Sequence, residues 1–570
     1  MNPQRMKQGS SPQNRTDVLL LVACCGFLLF YGLGALGLVG ADEPRYAQVA
    51  REMLERMDWV TPTLQGKAWL EKPPLYYWEA MLAFRIAGVS DWAARLPAAF
   101  DALLLTAGIY FFLRRFRPGY EFDGALITAS CAGVVGFAHA AATDMPLTAC
   151  FAIAMISWYA WYESRSRIYL AAFYFFLALG TLAKGPVAPA LAAVIIFLFL
   201  ALRRHWRVVL RTLWVPGIAL YFVVALPWYI AVQLRNPEFF RVFILEHNLA
   251  RFSTGVYHHP QPFWFYLPVF LLAMMPWTLV LIVAVVERFR LAWSEGKEAF
   301  SSLEDSWALF LLIWMVVPIV FFSASQSKLP GYIVPAVPAG ALLVAESLAG
   351  RRVEGRVGEE GKFSPLFIAA HAALCGLLIF GSLSAAVFAA PTAMNHHLGW
   401  GAVRSGIGSW GSGAAGIGVG SSAAIAAFSA VAIGVALGSR SGARLFGRAT
   451  LFAVVISVAA LIRFAAPVID ATQSARPIAE SIQSFSREAV SHEIVPVAVY
   501  HLSREQQYGL EFYLNRPVER YETETIPADA HVLAAAQTAH FEVAHWVPAR
   551  RVSYLTSIPA QKVDLYWVGK

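Results

Sequence analysis

The sequence predicts an α-helical polytopic membrane protein with a small α/β domain at its C-terminal end. Three observations carry that prediction. Over 570 residues the chain is 58% hydrophobic and 14% charged, against about 25% charged in a soluble protein. Apolar stretches near the ~20 residues needed to cross a bilayer recur along it. Its Lys and Arg residues gather in the short connections between those stretches, where membrane orientation puts them.

The stretches fall at about 17–39, 91–113, 122–140, 144–162, 168–183, 186–202, 211–234, 262–287, 305–323, 331–349, 364–390, 412–438 and 448–467, about thirteen in all. The pair around Lys184-Gly185-Pro186 is short for two spans. If the N-terminus is cytoplasmic, Arg114/Arg115/Arg117, Arg165/Arg167, Arg203/Arg204/Arg207/Arg211, Arg288/Arg290/Lys297, Arg351/Arg352/Arg356/Lys362 and Arg440/Arg444/Arg448 all fall on one side. A wrong count in the middle would break that alternation. The net charge of +8 is thereby explained by orientation, and nucleic acid is rejected as a partner. Cys24, Cys25, Cys131, Cys150 and Cys375 all lie within apolar stretches and show neither metal-ligand spacing nor a disulfide framework. The basic-then-apolar N-terminus also fits a cleaved signal peptide. Its apolar run exceeds the roughly 7–15 residues of a signal core, so it reads as a retained span.

This topology divides the chain into a transmembrane domain, 1–467, with outer loops at 40–90 and 235–262, and a soluble outer domain, 468–570. Residues 57–72 and 73–88 read as interfacial; Leu75-Tyr-Tyr-Trp78 has the aromatic character of the headgroup level. The stretch 391–425 is rich in Gly, Ser and Ala and reads as a loop entering a loosely packed span. After Pro467 the chain turns polar. A helix near Ala475–Glu488 and the runs Val495–Tyr500, Val532–Ala536 and Val563–Val568 predict a small α/β domain.

Candidate chemistry lies on the outer side. Ionisable residues at the mouths of membrane helices are costly and mark function. Asp42 and Glu43 follow the first span, with Arg45 and Tyr46 on a short helix predicted over Pro44–Arg56. A helix N-terminus alone favours such carboxylates; a general base or an acceptor-binding carboxylate is the functional alternative. Glu71-Lys72-Pro73-Pro74 is either a surface ion pair or a phosphate site, since Lys serves as a point-charge phosphate ligand. Lys184 is either snorkelling or part of an anion pocket with Lys72. Ser325–Tyr332 reads as an ordered loop feeding the next helix, with Lys328 and Tyr332 placed to contact the same anion. Asp144 suits helix capping, and His139 a satisfied core position. The 235–262 loop carries Glu246-His247-Asn248, Arg251 and the His258/His259 pair. Glu71 with His247 offers a divalent ion two ligands, which is a weak signal.

A carboxylate motif in the first outer loop, then Glu-Lys-Pro-Pro-Leu and Ser-Lys-Leu-Pro, resembles the C-type integral-membrane glycosyltransferases. Within them the chain is similar to the bacterial aminoarabinose transferases that modify lipid A. Ala41–Ala47 with Arg51–Met53, Trp69–Leu75, Ala183–Pro186 and Ser325–Pro338 carry the likeness; the C-terminal third agrees in architecture only. The resemblance implies transfer of 4-amino-4-deoxy-L-arabinose from undecaprenyl phosphate to lipid A at the outer face of the bacterial inner membrane. Masking lipid A phosphates with a cationic sugar would weaken the binding of cationic peptides such as polymyxin. It implies Asp42 as the catalytic carboxylate. Arg45, Tyr46, Glu71, Lys72, Lys184, Lys328 and Tyr332 would surround the donor phosphate, with Glu43, Asp144, His247 and Arg251 as further candidates. No cofactor is required, a divalent ion at Glu71 and His247 being the one addition open. Membrane lipids are the remaining partners, and the chain is expected to be a monomer. Related transferases with protein or polysaccharide acceptors share the acidic loop. A lipid transporter is the alternative of another class, although internal repeats, which often mark transporters, are not found.

Overall fold

A computed structural model describes residues 12–250, 261–295, 303–354, 363–388, 446–489, 495–523, 526–537 and 540–569. The predicted span at 412–438, the Gly-rich stretch 391–425, Arg251, His258 and His259 lie outside the described residues. Helices α1 (Pro12–Phe30), α2 (Asp42–Glu55), α3 (Leu75–Ala87), α4 (Asp91–Phe116), α5 (Glu121–Ser130), α6 (Ala132–Ala138), α7 (Asp144–Ser164) and α8 (Arg167–Lys184) build the first third. Among the described residues seven helices are long and apolar enough to cross a membrane. Two bent helix pairs and three shorter apolar helices, Thr16–Phe30, Val187–Leu202 and Leu366–Ser382, add to them. Together these account for every predicted span except 412–438. The chain is a multi-pass membrane protein.

Two of the spans expected to be single rods are broken. The 122–140 segment bends by 62° between α5 and α6, and Phe263–Ala273 turns by 114° against Thr278–Leu291. The breaks meet. Ala132 N–H donates to the Met275 carbonyl at 2.8 Å, and Trp277 Nε1 donates to Ser130 Oγ at 3.0 Å. Irregular backbone is tolerated at membrane depth only where protein satisfies it, and each break here satisfies the other.

Helix α7 is buried along the whole of its apolar window. Trp158, Tyr159 and Tyr162 stack with Phe199 and Phe310, so one end of α7 is locked in an aromatic layer. Its other end begins with Asp144. His139 finds a partner as expected: its Nδ1 lies 2.9 Å from the Val135 carbonyl and its Nε2 3.2 Å from that of Tyr31, and the ring N–H donates to one of them.

The first outer loop folds as α2, a two-residue hairpin and α3. Strands β1 (Thr63–Leu64) and β2 (Lys67–Ala68) pair antiparallel around Gln65 and Gly66, both at positive φ, the backbone that a tight two-residue turn demands. Glu52 holds the hairpin from α2, accepting from Thr63 Oγ1 and Gln65 N, each at 2.8 Å.

After the Ala466–Gln473 helix the chain forms a five-stranded sheet. Strands β3 (Val497–Tyr500), β4 (Glu519–Arg520), β5 (His531–Ala536), β6 (Val552–Ile558) and β7 (Val563–Val568) lie in the order β4-β3-β5-β7-β6. β3 is parallel to β4 and β5; β7 runs antiparallel to β5 and β6. Every residue of β3 is buried, as a strand with both faces covered requires. The predicted helix and three strands are there, while β4 and β6 are additional.

Candidate active site

The first turn of α2 organises the site. The helix starts at Asp42, two residues before the expected Pro44, so Asp42 and Glu43 both sit in its first turn, where the helix dipole favours carboxylates. Their side chains part. Asp42 is half exposed and takes Arg45 Nη2 at 2.5 Å. Glu43 points into protein, bound by Arg95 Nε at 3.1 Å and Nη2 at 2.7 Å. It also accepts from Val39 N at 2.9 Å and Ala141 N at 2.8 Å. Arg95 further donates to the Leu33, Leu36 and Gly37 carbonyls. Glu43 is therefore a clamp on the stretch of chain leading to Asp42.

A cavity of about 270 Å³ opens beside Asp42, with Tyr46, Lys72, Asp144, Lys184 and Tyr332 among its lining residues. These come from five separate stretches. Asp144 is not merely a helix cap: it accepts Lys184 Nζ at 2.5 Å, and the same ammonium lies 4.6 Å above the Tyr332 ring. The Tyr46 phenol is held well above its ordinary pKa, chiefly by burial and then by the Asp42 charge. It stays protonated and serves as a donor. The cavity thus offers two ammonium groups and phenolic donors to an anion, and two carboxylates to a cation.

Arg45 stands just behind this wall. Its guanidinium lies 5.2 Å from the Tyr46 ring centre, 5.1 Å from that of Trp69 and 5.7 Å from that of Tyr508, within cation–π range. Glu71 Oε2 is 3.8 Å away, and Glu71 Oε1 lies 3.7 Å from His247 Nε2 on the Arg241–Ala250 π-helix. Among the described residues no group of three or more His, Cys, Asp or Glu side chains is arranged to hold a metal ion. Two ligands with a guanidinium beside one of them fit a cation poorly.

Lys328 is placed differently from the expectation. It is buried and donates to the Ser325 carbonyl of its own loop at 2.5 Å, outside the cavity lining, while its neighbour Tyr332 is in it. Sequence reasoning missed Arg95, Trp69 and Tyr508. An arginine four residues into an apolar stretch is a legible signal, and Trp69 adjoins the Glu71 motif. Tyr508 has no local signal, since it reaches the site from the sheet domain.

The family model for dolichyl-phosphate-mannose-protein mannosyltransferases matches residues 71–230. Curated undecaprenyl phosphate-α-4-amino-4-deoxy-L-arabinose arabinosyl transferases are similar to the chain. That of Pseudomonas savastanoi pv. phaseolicola is 33% identical, over 60% of this chain and 63% of its own length. That of Erwinia tasmaniensis is 29% identical, over 65% and 66%. The similarity spans less than two thirds of the length of these relatives. Among solved structures, ArnT from Cupriavidus metallidurans bound to undecaprenyl phosphate superimposes with a TM-score of 0.69 at 21% identity, covering 97% of both chains. Its apo state gives 0.68 at 21%, over 98% of both. This chain shares their fold.

Proposed function

We propose that this chain is a glycosyltransferase that moves 4-amino-4-deoxy-L-arabinose from undecaprenyl phosphate to a lipid A phosphate, working as a monomer at the outer face of the bacterial inner membrane. The observation that carries it is the cavity at the head of α2 and α7, where Asp42, Tyr46, Lys72, Asp144, Lys184 and Tyr332 converge. The likeness to arabinosyl transferases supports the same reading.

The chemistry follows from charge. Attack of an acceptor phosphate oxygen on the anomeric carbon breaks the glycosyl–phosphate bond and leaves the polyprenyl phosphate with growing negative charge. Fixed donors in a water-poor site stabilise that charge better than water does. Lys72, Lys184 and the Tyr46 hydroxyl are those donors, and Arg45 adds its field from behind. A phosphate acceptor is already anionic and needs little deprotonation. Asp42 then pairs with the ammonium of the sugar or takes the last acceptor proton. A hydroxyl acceptor would make Asp42 a general base. The match to a protein mannosyltransferase family over 71–230 favours a protein or polysaccharide acceptor as the second reading.

Mass spectrometry of lipid A tests it, in a strain lacking its own aminoarabinose transferase and complemented with this gene, with polymyxin survival as the companion readout. Aminoarabinose-sized additions are expected. Unmodified lipid A from a well-expressed chain would turn the search to glycoproteins and polysaccharide. Lys72→Gln is expected to raise KM for the lipid-linked donor roughly ten- to hundredfold, the worth of one charge-assisted hydrogen bond; steady-state kinetics on donor concentration measures it. The reaction is proposed to need no metal: dialysis against a chelator should leave the rate unchanged, and recovery only on adding back zinc would reverse that.

A further inference from the structure

The sheet domain does more than sit beside the membrane bundle. Its Arg504–Leu514 helix is started by a capping box between Ser503 and Gln506. That fixes the phase of one stripe, Tyr508, Glu511 and Phe512, at i, i+3 and i+4 on a single helix face, and Asn515 caps the helix end in the left-handed conformation. Every member reaches the first outer loop. Glu511 accepts from Gln65 Nε2 on the hairpin. The Phe512 carbonyl accepts Arg51 Nη1 at 3.1 Å, and Asn515 Nδ2 donates to Glu55 at 3.2 Å. Tyr508 lies over the Arg45 guanidinium. The next residue along, Tyr513, knots the base of the contact. Its hydroxyl donates to Asp91 at 2.6 Å and accepts from Leu38 N at 2.7 Å, and Arg476 bridges Asp91 and Asp470 at 3.1 and 2.7 Å. Gly37 makes that approach possible, because a Cβ there would come within 2.2 Å of Ser474 Oγ.

We propose that Tyr508 is a positioning residue of the transfer reaction, acting through Arg45. The guanidinium has three rings around it, and two of them, Tyr46 and Trp69, belong to the same loop as Arg45 itself. Tyr508 alone arrives from another domain. Arg45 Nε has no hydrogen-bond partner among the described residues, so the ring faces, together with the Tyr46 hydroxyl, Asp42 and Glu71, fix where the charge points. Removing the Tyr508 face lets the guanidinium turn from its place between those two carboxylates, and Asp42 loses its fixed partner. The sheet domain is on this account part of the active site, supplying its third aromatic wall. The inference rests on the transferase reading of the cavity.

The test is steady-state transfer by the full-length chain in lipid nanodiscs, with a polyprenyl-phosphate aminosugar as donor and lipid A as acceptor. Tyr508→Leu keeps apolar bulk and removes the π face; it should lower kcat/KM about tenfold. Tyr508→Phe keeps the face and should stay within about twofold of the parent. Both should unfold at the parent temperature. In an Arg45→Lys background the further cost of Tyr508→Leu should shrink, because residues acting through one contact are not additive. Equal losses in Leu and Phe, the same tenfold loss in both backgrounds, or full activity of Tyr508→Leu would each overturn the proposal. A parent chain that moves no aminosugar to lipid A would sink the transferase reading itself. An inactive Asp42→Asn beside a fully active Tyr508→Leu would sink the role of Tyr508 alone.

Discussion

Asp42→Asn should lower transfer by about 10²–10⁴-fold, the range for losing a positioned proton-transfer group, while leaving the protein folded. The side chain is 48% exposed and pairs with Arg45, so little packing depends on it. Arg45 keeps Glu71 3.8 Å away and its three ring contacts. What the substitution removes is the more exposed of the two cavity carboxylates, 48% against 16% for Asp144, which is committed to Lys184. Either proposed role, pairing with the aminosugar ammonium or receiving a proton, needs that negative charge. Lipid A mass spectrometry and thermal unfolding on the same preparation separate chemistry from folding. Full activity would remove Asp42 from the mechanism and move attention to Asp144.

Arg95→Ala is expected to cost about 3–5 kcal/mol of stability, because it strands the Glu43 carboxylate in protein with its charge uncompensated. The Arg95 side chain is 3% exposed and that of Glu43 9%. Three backbone carbonyls between Leu33 and Gly37 lose their donor as well. The damage should extend to catalysis, since that stretch leads directly into Asp42. A double variant, Arg95→Met with Glu43→Gln, should recover much of the stability, as replacing both partners of a buried pair commonly does. Thermal unfolding in detergent measures both. A loss below about 1 kcal/mol for Arg95→Ala would end the account of this pair as the clamp of the outer loop.

The contrast between Asp42 and Glu43 shows what a sequence reveals here and what it hides. Adjacent carboxylates on a helix point about 100° apart, so one of a pair faces elsewhere, and nothing local says which. Membrane spans were legible because apolar length is a one-dimensional property, and basic loops ordered them. The breaks in 122–140 and 262–287 were not, because each is stabilised by the other across more than a hundred residues. Lys72, Lys184 and Tyr332 were visible as charges or phenols at helix mouths. Lys328 looked the same in sequence, yet the carbonyl of Ser325 claims it. Tyr508 shows the limit most clearly: its role depends on how a separate domain docks, and contacts such as those of Gly37, Tyr513 and Arg476 exist only in three dimensions.

The full burial of α7 has a consequence for how the protein is made. A helix that touches no lipid in the finished bundle is free to carry residues that lipid would reject. Indeed its apolar window is the least hydrophobic of the seven. Insertion into a membrane, however, judges each segment by its own apolarity as it leaves the ribosome, before neighbours exist to wrap it. The segment that carries Asp144 is therefore, of those seven, the one the insertion machinery holds most weakly. Its retention depends on α4 before it and α8 after it, the two elements it contacts most extensively. Selection for the chemistry at the head of α7 thus acts within a second constraint, set at synthesis, on how polar the rest of that helix is allowed to become.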